Sequence, residues 1–347
     1  MRRQRLGYLS GWTRNIVASF SPTSVILLYH RVFDAASDPQ RLCVSPKHFA
    51  DHLDYLRRNY PVLSLKQLSS ALRKGRLPRR GVVLTFDDGY SDNLLNAKPL
   101  LERYDTPATF FITTGYLGSR REFWWDELER LLLSVELPNT LRVVVDGKEY
   151  AWNMGEWAEL SLKEISAYEE WNVESQETPT PRHRAYRDLH RLLRLMGHMG
   201  REAILTDLRT QIGDAGNSRT AHSVMTPSEI LNLSESKLVE IGSHTATHQA
   251  LATQTYEVQY NELRESKARL EGILGRPVIS LAYPYGSLCD VGKKILRIVQ
   301  NVGYEIACAN FATPVTSRSD PFFLPRFIVR DWDKKQFAME LCRFFNA

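Results

Sequence analysis

Long apolar runs are the first thing this 347-residue chain lacks. No stretch approaches the roughly 20 consecutive apolar residues of a membrane-spanning helix. The start, Leu6-Gly7-Tyr8-Leu9-Ser10-Gly11-Trp12-Thr13-Arg14, does not supply the unbroken apolar core that an export signal needs after its basic residues. Cysteine is scarce: Cys43, Cys289, Cys308 and Cys342 are scattered with no C-x-x-C pair, which reads as reduced, partly buried thiols in a reducing compartment. A strong excess of one charge is also missing. The formal net charge is only +5, acids and bases are interspersed, and the aromatics do not interleave with a long basic run, so a nucleic-acid partner is not expected. Acid is absent before Asp34, while Arg2, Arg3, Arg5 and Arg14 crowd the start. That segment reads as a disordered basic tail, with a helix on the anionic inner surface of a membrane as the alternative. The expected location is the cytoplasm, with peripheral membrane contact through the basic N-terminus.

What is present is an ordinary soluble globular composition, 43% hydrophobic and 24% charged, long enough to bury a large core as one α/β domain with insertions or as two domains. Strand-like and helix-like stretches alternate, which favours a parallel sheet or barrel. Strands are expected at Ser24–Tyr29, from Val82, from Ala108, from Val239, at Pro277–Tyr283, at Tyr304–Ala309 and from Phe327, about seven in all and suited to a slightly open barrel. Ser45-Pro46 carries the N-cap and first-turn proline of a helix. From residue 137 to 226 the texture changes to a hairpin signal around Asp146-Gly147 and charged helical stretches without buried-strand runs. The expected organisation is a basic tail over 1–23, a barrel over 24–136 and 227–347, and a mostly helical insertion or cap over 137–226.

The chemistry centres on Val82-Val83-Leu84-Thr85-Phe86-Asp87-Asp88-Gly89-Tyr90, a buried strand that delivers two carboxylates to the mouth of a sheet. Taken alone, Asp87 or Asp88 could equally cap the helix that follows. A distant stretch, Glu240-Ile241-Gly242-Ser243-His244-Thr245-Ala246-Thr247-His248, changes the balance. Two histidines four apart can face one ion, and one carboxylate from the first strand completes a two-histidine, one-aspartate set with open positions for water. His48 and His52 share that spacing but sit mid-helix beside Phe49, Leu53 and Leu56, so their reading is structural. His183, His190 and His198 lie on a basic amphipathic stretch and are expected to be solvated. Trp124 and Trp125 fit either a core or a groove in which a sugar ring stacks.

Thr85-Phe86-Asp87-Asp88-Gly89, His244-Thr245-Ala246-Thr247-His248 and Tyr283-Pro284-Tyr285-Gly286, in this order, resemble the polysaccharide deacetylases with a NodB-type domain, carbohydrate esterase family 4. The resemblance implies an irregular (β/α)7 barrel with its site at the strand C-termini. It implies Asp87 as general base, and Asp88, His244 and His248 as ligands of a divalent metal ion, usually zinc. It further implies the Tyr285 backbone N–H as oxyanion donor. The family's C-terminal Leu-x-His motif is missing. Leu28-Tyr29-His30 looks like that motif moved to the front, as in the branch resembling poly-N-acetylglucosamine deacetylases, with His30 as general acid and Leu28 in the acetyl pocket. The arginine that usually orients the base is also missing from Ala282-Tyr283-Pro284-Tyr285-Gly286. Arg326 is the expected substitute, with Arg330 as second candidate. The expected function is therefore a metal-dependent deacetylase acting on the N-acetyl group of a hexosamine in a polysaccharide or lipid-linked glycan precursor, with Trp124 and Trp125 beside the substrate. A deformylase or O-acetyl esterase on a related glycan, and a catalytically silent carbohydrate-binding relative, are the alternatives.

Overall fold

The computed structural model describes residues 23–347 apart from 120, 160, 162–165, 215, 217 and 293. The basic N-terminal segment expected over 1–23 lies almost wholly outside the described residues. Seven parallel strands make the frame: β1 (Ser24–Tyr29), β2 (Gly81–Phe86), β3 (Ala108–Ile112), β4 (Val239–Ser243), β5 (Ser280–Ala282), β6 (Ile306–Cys308) and β7 (Phe327–Ile328). They run in the order β6-β5-β4-β3-β2-β1-β7, and a two-residue strand at Val62–Leu63 pairs with β2 off this path. Five strands start within one residue of the sequence expectation, but β5 begins at Ser280 instead of Pro277 and β6 at Ile306 instead of Tyr304. The ends are shorter at β5 and β6, where ladder hydrogen bonds cover only the central residues.

The strands are buried on both faces, as parallel sheets under helices are, except at Glu240 of β4 and Ile328 of β7, which are partly exposed. Alternation then decides what goes where. Ile26, Val83, Phe111, Ala282, Cys308 and Leu324 cluster inside the barrel. Val25, Leu27 and Tyr29, with Val82, Leu84 and Phe86, join the outer core beneath the helices. There Phe86 stacks between Tyr29 and Phe110, with ring centroids 5.2 and 4.7 Å away.

The curled sheet is closed by the segment leading into β7. Leu324 bridges to Cys308 of β6, with Ala309 N–H donating to the Leu324 carbonyl at 2.7 Å, while Phe327 pairs with Leu27 of β1. First and last strands are therefore neighbours.

Six helices matter for the site: α1 (Pro46–Asn59), α2 (Trp124–Leu133), α3 (Pro181–Leu195), α4 (His198–Ile212), α5 (Tyr256–Leu274) and α6 (Lys334–Phe344). Helix α1 begins as its sequence predicts, the Ser45 side chain accepting from His48 N–H behind Pro46. Between barrel strands β3 and β4 the chain forms an antiparallel hairpin, Thr140–Val145 with Lys148–Asn153, turned by Asp146 and Gly147 at φ 49° and 78°. Two positive φ values in succession are what such a tight hairpin turn requires. The basic stretch carrying His183, His190 and His198 is not one helix, because it breaks between α3 and α4 at Met196-Gly197. Nor are all its histidines solvated. His183 is buried beside the Thr180 hydroxyl at 2.8 Å, and His190 stacks on Trp124 at 4.9 Å. Helix α3 packs on α2, which places its inward side against aromatic core instead of water.

Candidate active site

The alternation that fills the barrel also loads its mouth. Continuing Ile26, Leu28 inward brings His30 to the rim, and Val83, Thr85 inward brings Asp87 beside it, because β1 and β2 are in register from Ser24↔Gly81 to Tyr29↔Phe86. By the same rule Asp88 would point outward. It does not, because the chain turns left-handed at Asp88 (φ 75°) and Gly89 (φ 95°). A Cβ at position 89 would also meet the Ile112 side chain at 3.2 Å, so glycine suits both the turn and the space. The result is that His244 Nε2 lies 3.7 Å from an Asp87 oxygen and 3.6 Å from an Asp88 oxygen. Thr245, His248 and Tyr285 are left-handed too, at φ 64°, 55° and 60°. Such conformations cost about 1–3 kcal/mol each and persist where the surroundings fix them, typically at functional sites.

Asp88, His244 and His248 are buried, and one ligand atom from each lies within 4.8 Å of the others. His248 Nε2 stands 3.4 Å from Asp88 Oδ1. His244 Nδ1 donates to the Ala282 carbonyl at 2.8 Å, which puts the proton on Nδ1 and leaves the Nε2 lone pair aimed at the acids. Burial, reinforced at His248 by His244 and Arg201, lowers both imidazole pKa values and keeps the rings neutral. Burial and the adjacent Asp87 push the Asp88 carboxyl well up, and its Oδ1 has no hydrogen-bond partner. An orphaned buried carboxylate oxygen facing two neutral imidazoles fits a divalent cation, which would answer the missing charge and use all three lone pairs.

Asp87 is treated differently by its surroundings. Burial would raise its pKa, but Arg326 and then His244 hold it below the ordinary carboxylate value. Arg326 is itself buried, donates to Asp87 Oδ1 and Oδ2 at 2.7 Å each, and is steadied by the Ala309 carbonyl (2.9 Å) and Thr85 hydroxyl (3.2 Å). Arg330, the second candidate, instead donates to the Arg41 carbonyl at 2.6 Å and pairs with Glu174. So one carboxylate is ionised and fixed, and its neighbour lacks a counter-charge.

Leu28, His30, Asp87, Asp88, His244, His248, Tyr285 and Arg326 all line one cavity of about 270 Å³, together with Trp125, Arg330 and residues His190 and Arg194 of α3. Burial pushes the His30 imidazole down to about 3, partly offset by the charge of Asp87. Trp125 borders the cavity, its indole N–H donating to the Tyr90 hydroxyl at 2.8 Å and its ring 4.7 Å from that of His248. Trp124 is a correction. It is 1% exposed and lies in the core between His190 and Arg201, because on α2 adjacent residues face different directions and only one indole can reach the cavity.

Several residues around the site were not singled out from sequence. Glu262 of α5 accepts from Ala246 N–H (3.0 Å), Thr247 N–H (2.8 Å), the Thr247 hydroxyl (2.5 Å) and the Gln249 amide (2.8 Å), so it cradles the loop between the two histidines. Its readable signal is an acid in helical register with buried Leu263, Ser266 and Leu270. Arg194 makes a two-pronged contact with one nitrogen 2.7 Å from both Asp290 oxygens, and its guanidinium lies 4.6 Å from the Tyr285 ring centroid. A second group, Asp126, Glu129 and His222, is also close enough for a cation. Its acids already have partners: the Tyr90 hydroxyl donates to Asp126 at 2.7 Å, His222 faces Asp126 at 3.2 Å, and Arg219 donates to Glu129 at 3.3 Å.

Fold and site together define a parallel barrel whose mouth carries a two-histidine, one-aspartate group able to hold a cation beside a separately held carboxylate. The family profile described as Polysaccharide deacetylase matches residues 74–137 and 210–307. A poly-β-1,6-N-acetyl-D-glucosamine N-deacetylase of Staphylococcus aureus is 31% identical over 109 residues, 28% of this chain and 38% of that protein. YxkH of Bacillus subtilis is 32% identical over 108 residues, 30% of this chain and 37% of that protein. The matched stretch thus spans well under half the length of these relatives. Among solved structures, the Streptococcus pyogenes deacetylase PplD aligns with a TM-score of 0.56 at 18% identity, covering 93% of this chain and 99% of that one. IcaB from Ammonifex degensii aligns with a TM-score of 0.56 at 17% identity, covering 94% and 98%. At such identities these two share the fold. The profile of the polysaccharide deacetylase family thus matches just under half of this chain, in two segments on either side of residues 138–209, and the solved deacetylases share its fold.

Proposed function

We propose that the protein is a metal-dependent hydrolase that removes the N-acetyl group from a hexosamine in a polysaccharide. The observation that carries this reading is the unequal pair of acids: Asp87 clamped by Arg326, and Asp88 unpartnered before His244 and His248. Asp88, His244 and His248 would hold the ion, zinc in this reading. When bound, such an ion supplies Lewis acidity toward the acetyl carbonyl and the attacking water. Asp87, ionised at neutral pH, takes the proton from that water. The Tyr285 backbone N–H donates to the developing oxyanion. Leu28 packs the acetyl methyl. His30, neutral at rest, relays to the departing amine the proton that Asp87 has taken from the water, which returns Asp87 to its ionised form. Water is consumed, the amide C–N bond breaks, and acetate and a free amine result.

The name of the Staphylococcus aureus relative supports an N-acetylglucosamine polymer as the substrate class. Action in the cytoplasm on a lipid-linked precursor, with the basic N-terminus against the inner membrane surface, belongs to the same proposal. Among the described residues no helix is long and apolar enough to cross a membrane. The test is acetate release from β-1,4- and β-1,6-linked N-acetylglucosamine oligomers by protein stripped of metal and reloaded with zinc. Release that needs the ion and is lost in Asp87→Asn supports the reading. No release from either oligomer, with formyl or O-acetyl analogues turned over instead, replaces the acyl group in it, and no turnover of any of them leaves a binding protein.

A further inference from the structure

The insertion is built into the wall of the histidine loop. Arg201, in the first turn of α4, is 1% exposed and lies against Trp124, 5.3 Å from the ring centroid. Its two terminal nitrogens both donate to the backbone carbonyl of His248, at 3.2 and 3.3 Å. Among the described residues these are its hydrogen bonds, and no carboxylate pairs with it. Burying a guanidinium costs several kcal/mol unless something repays it, so its retention next to an expected cation is not explained by charge. What it does reach is the carbonyl of a residue held left-handed at φ 55°. The next residue carries a second tie: Gln249 Oε1 accepts from the His198 N–H at the start of α4, at 3.1 Å, while its amide nitrogen donates to Glu262. The loop from His244 to Gln249 is therefore held from below by the barrel, through Glu262, and from above by the insertion, through Arg201 and His198.

We propose that Arg201 is a positioning residue for the metal centre. By gripping the His248 carbonyl it fixes the strained backbone that turns His248 Nε2 toward Asp88, so that docking of α4 and cation affinity are linked properties. This rests on the metal-dependent reading above, and the measurement separates the two. Zinc affinity by titration calorimetry and the cobalt d–d absorption are compared for the wild type, Arg201→Met, Arg201→Lys and the ligand variant His248→Ala, alongside thermal unfolding of each metal-free protein. Arg201→Met is expected to weaken zinc binding about 10–100-fold, the range seen when partners that orient a ligand are removed. It should also shift the cobalt spectrum, with Arg201→Lys recovering part of both because one donor remains. A metal-free Arg201→Met that is less stable but binds zinc with wild-type affinity and an unchanged cobalt spectrum makes Arg201 merely structural and overturns the proposal. If the Met variant does not fold, the Lys variant decides: weakened zinc binding supports the proposal, and wild-type affinity overturns it. A wild type that binds neither ion, like His248→Ala, brings down the metal reading and this inference with it.

Discussion

Arg326 and Asp87 stand 239 residues apart in sequence and meet as a forked ion pair, both nitrogen–oxygen distances 2.7 Å, with neither side chain more than 3% exposed. The segment that closes the barrel thus also fixes the acid on β2. Arg326→Lys keeps the charge but loses the planar fork. We expect kcat to fall about 100-fold, the scale of a small misplacement of a catalytic group, with zinc content unchanged. Because Arg326 is what keeps Asp87 low against burial, the acidic limb of kcat/KM should also move to higher pH. Wild-type kcat and an unmoved limb in the Lys variant would show that the fork does not orient the base.

Asp88, His244 and His248, the proposed ligands, differ from Asp87 in what their loss should remove. His244→Ala and His248→Ala each delete a lone pair from the same buried set, so zinc stoichiometry measured by plasma emission should drop toward zero. Asp88→Asn should do likewise, leaving an amide where a charge is needed. Turnover should fall by about 10³-fold or more, since the ion is worth several kcal/mol to the transition state. Asp87→Asn should instead retain zinc while losing turnover. Equal zinc loss in all four variants would mean that Asp87 is also a ligand.

His30 is a cavity residue brought beside Asp87 by strand register alone. His30→Ala should cost roughly 10²–10⁴ in kcat, the usual contribution of a positioned acid, and leave zinc binding intact. Turnover at the wild-type rate would remove His30 from the chemistry.

Much of this was legible because strands that run straight into their functional residues carry their own address. Once Ser24–Tyr29 and Val82–Phe86 read as neighbouring parallel strands, the inward parity that buries Ile26 and Val83 also points His30 and Asp87 at the mouth. Arg326 was legible for the opposite reason, since a buried acid without its usual arginine demands another. The contributions of α3, α4 and α5 were not legible. Glu262, Arg194 and Arg201 act on residues 13 to 96 positions away, through helix packing that no local pattern encodes. Trp124 and Trp125 show the same limit at closest range. Two adjacent indoles have identical composition and opposite fates, decided by which one α3 covers.

Acid should unfold this protein through its buried histidines. His52 stacks on Phe337 at 3.9 Å, and its Nε2 lies 2.7 Å from the Trp332 carbonyl, so Nε2 carries the proton and Nδ1 is left to accept from the Tyr29 hydroxyl at 3.3 Å. A second proton has no place there, and burial lowers the pKa to about 4. His183 and His190 are lowered in the same way, to about 4 and about 3. Each of these groups binds a proton more readily unfolded, near pH 6.5, than folded. Their contribution is therefore complete above about pH 6.5 and is lost as pH falls from there toward 4. Each should contribute up to about 1.4 kcal/mol of destabilisation per pH unit across that window, until its folded pKa is reached. Urea unfolding of the metal-free protein at several pH values measures the slope. His52→Gln, which can still donate toward Trp332 but cannot take up the proton, should flatten it by about one proton's worth. An unchanged slope in that variant would place the acid sensitivity elsewhere.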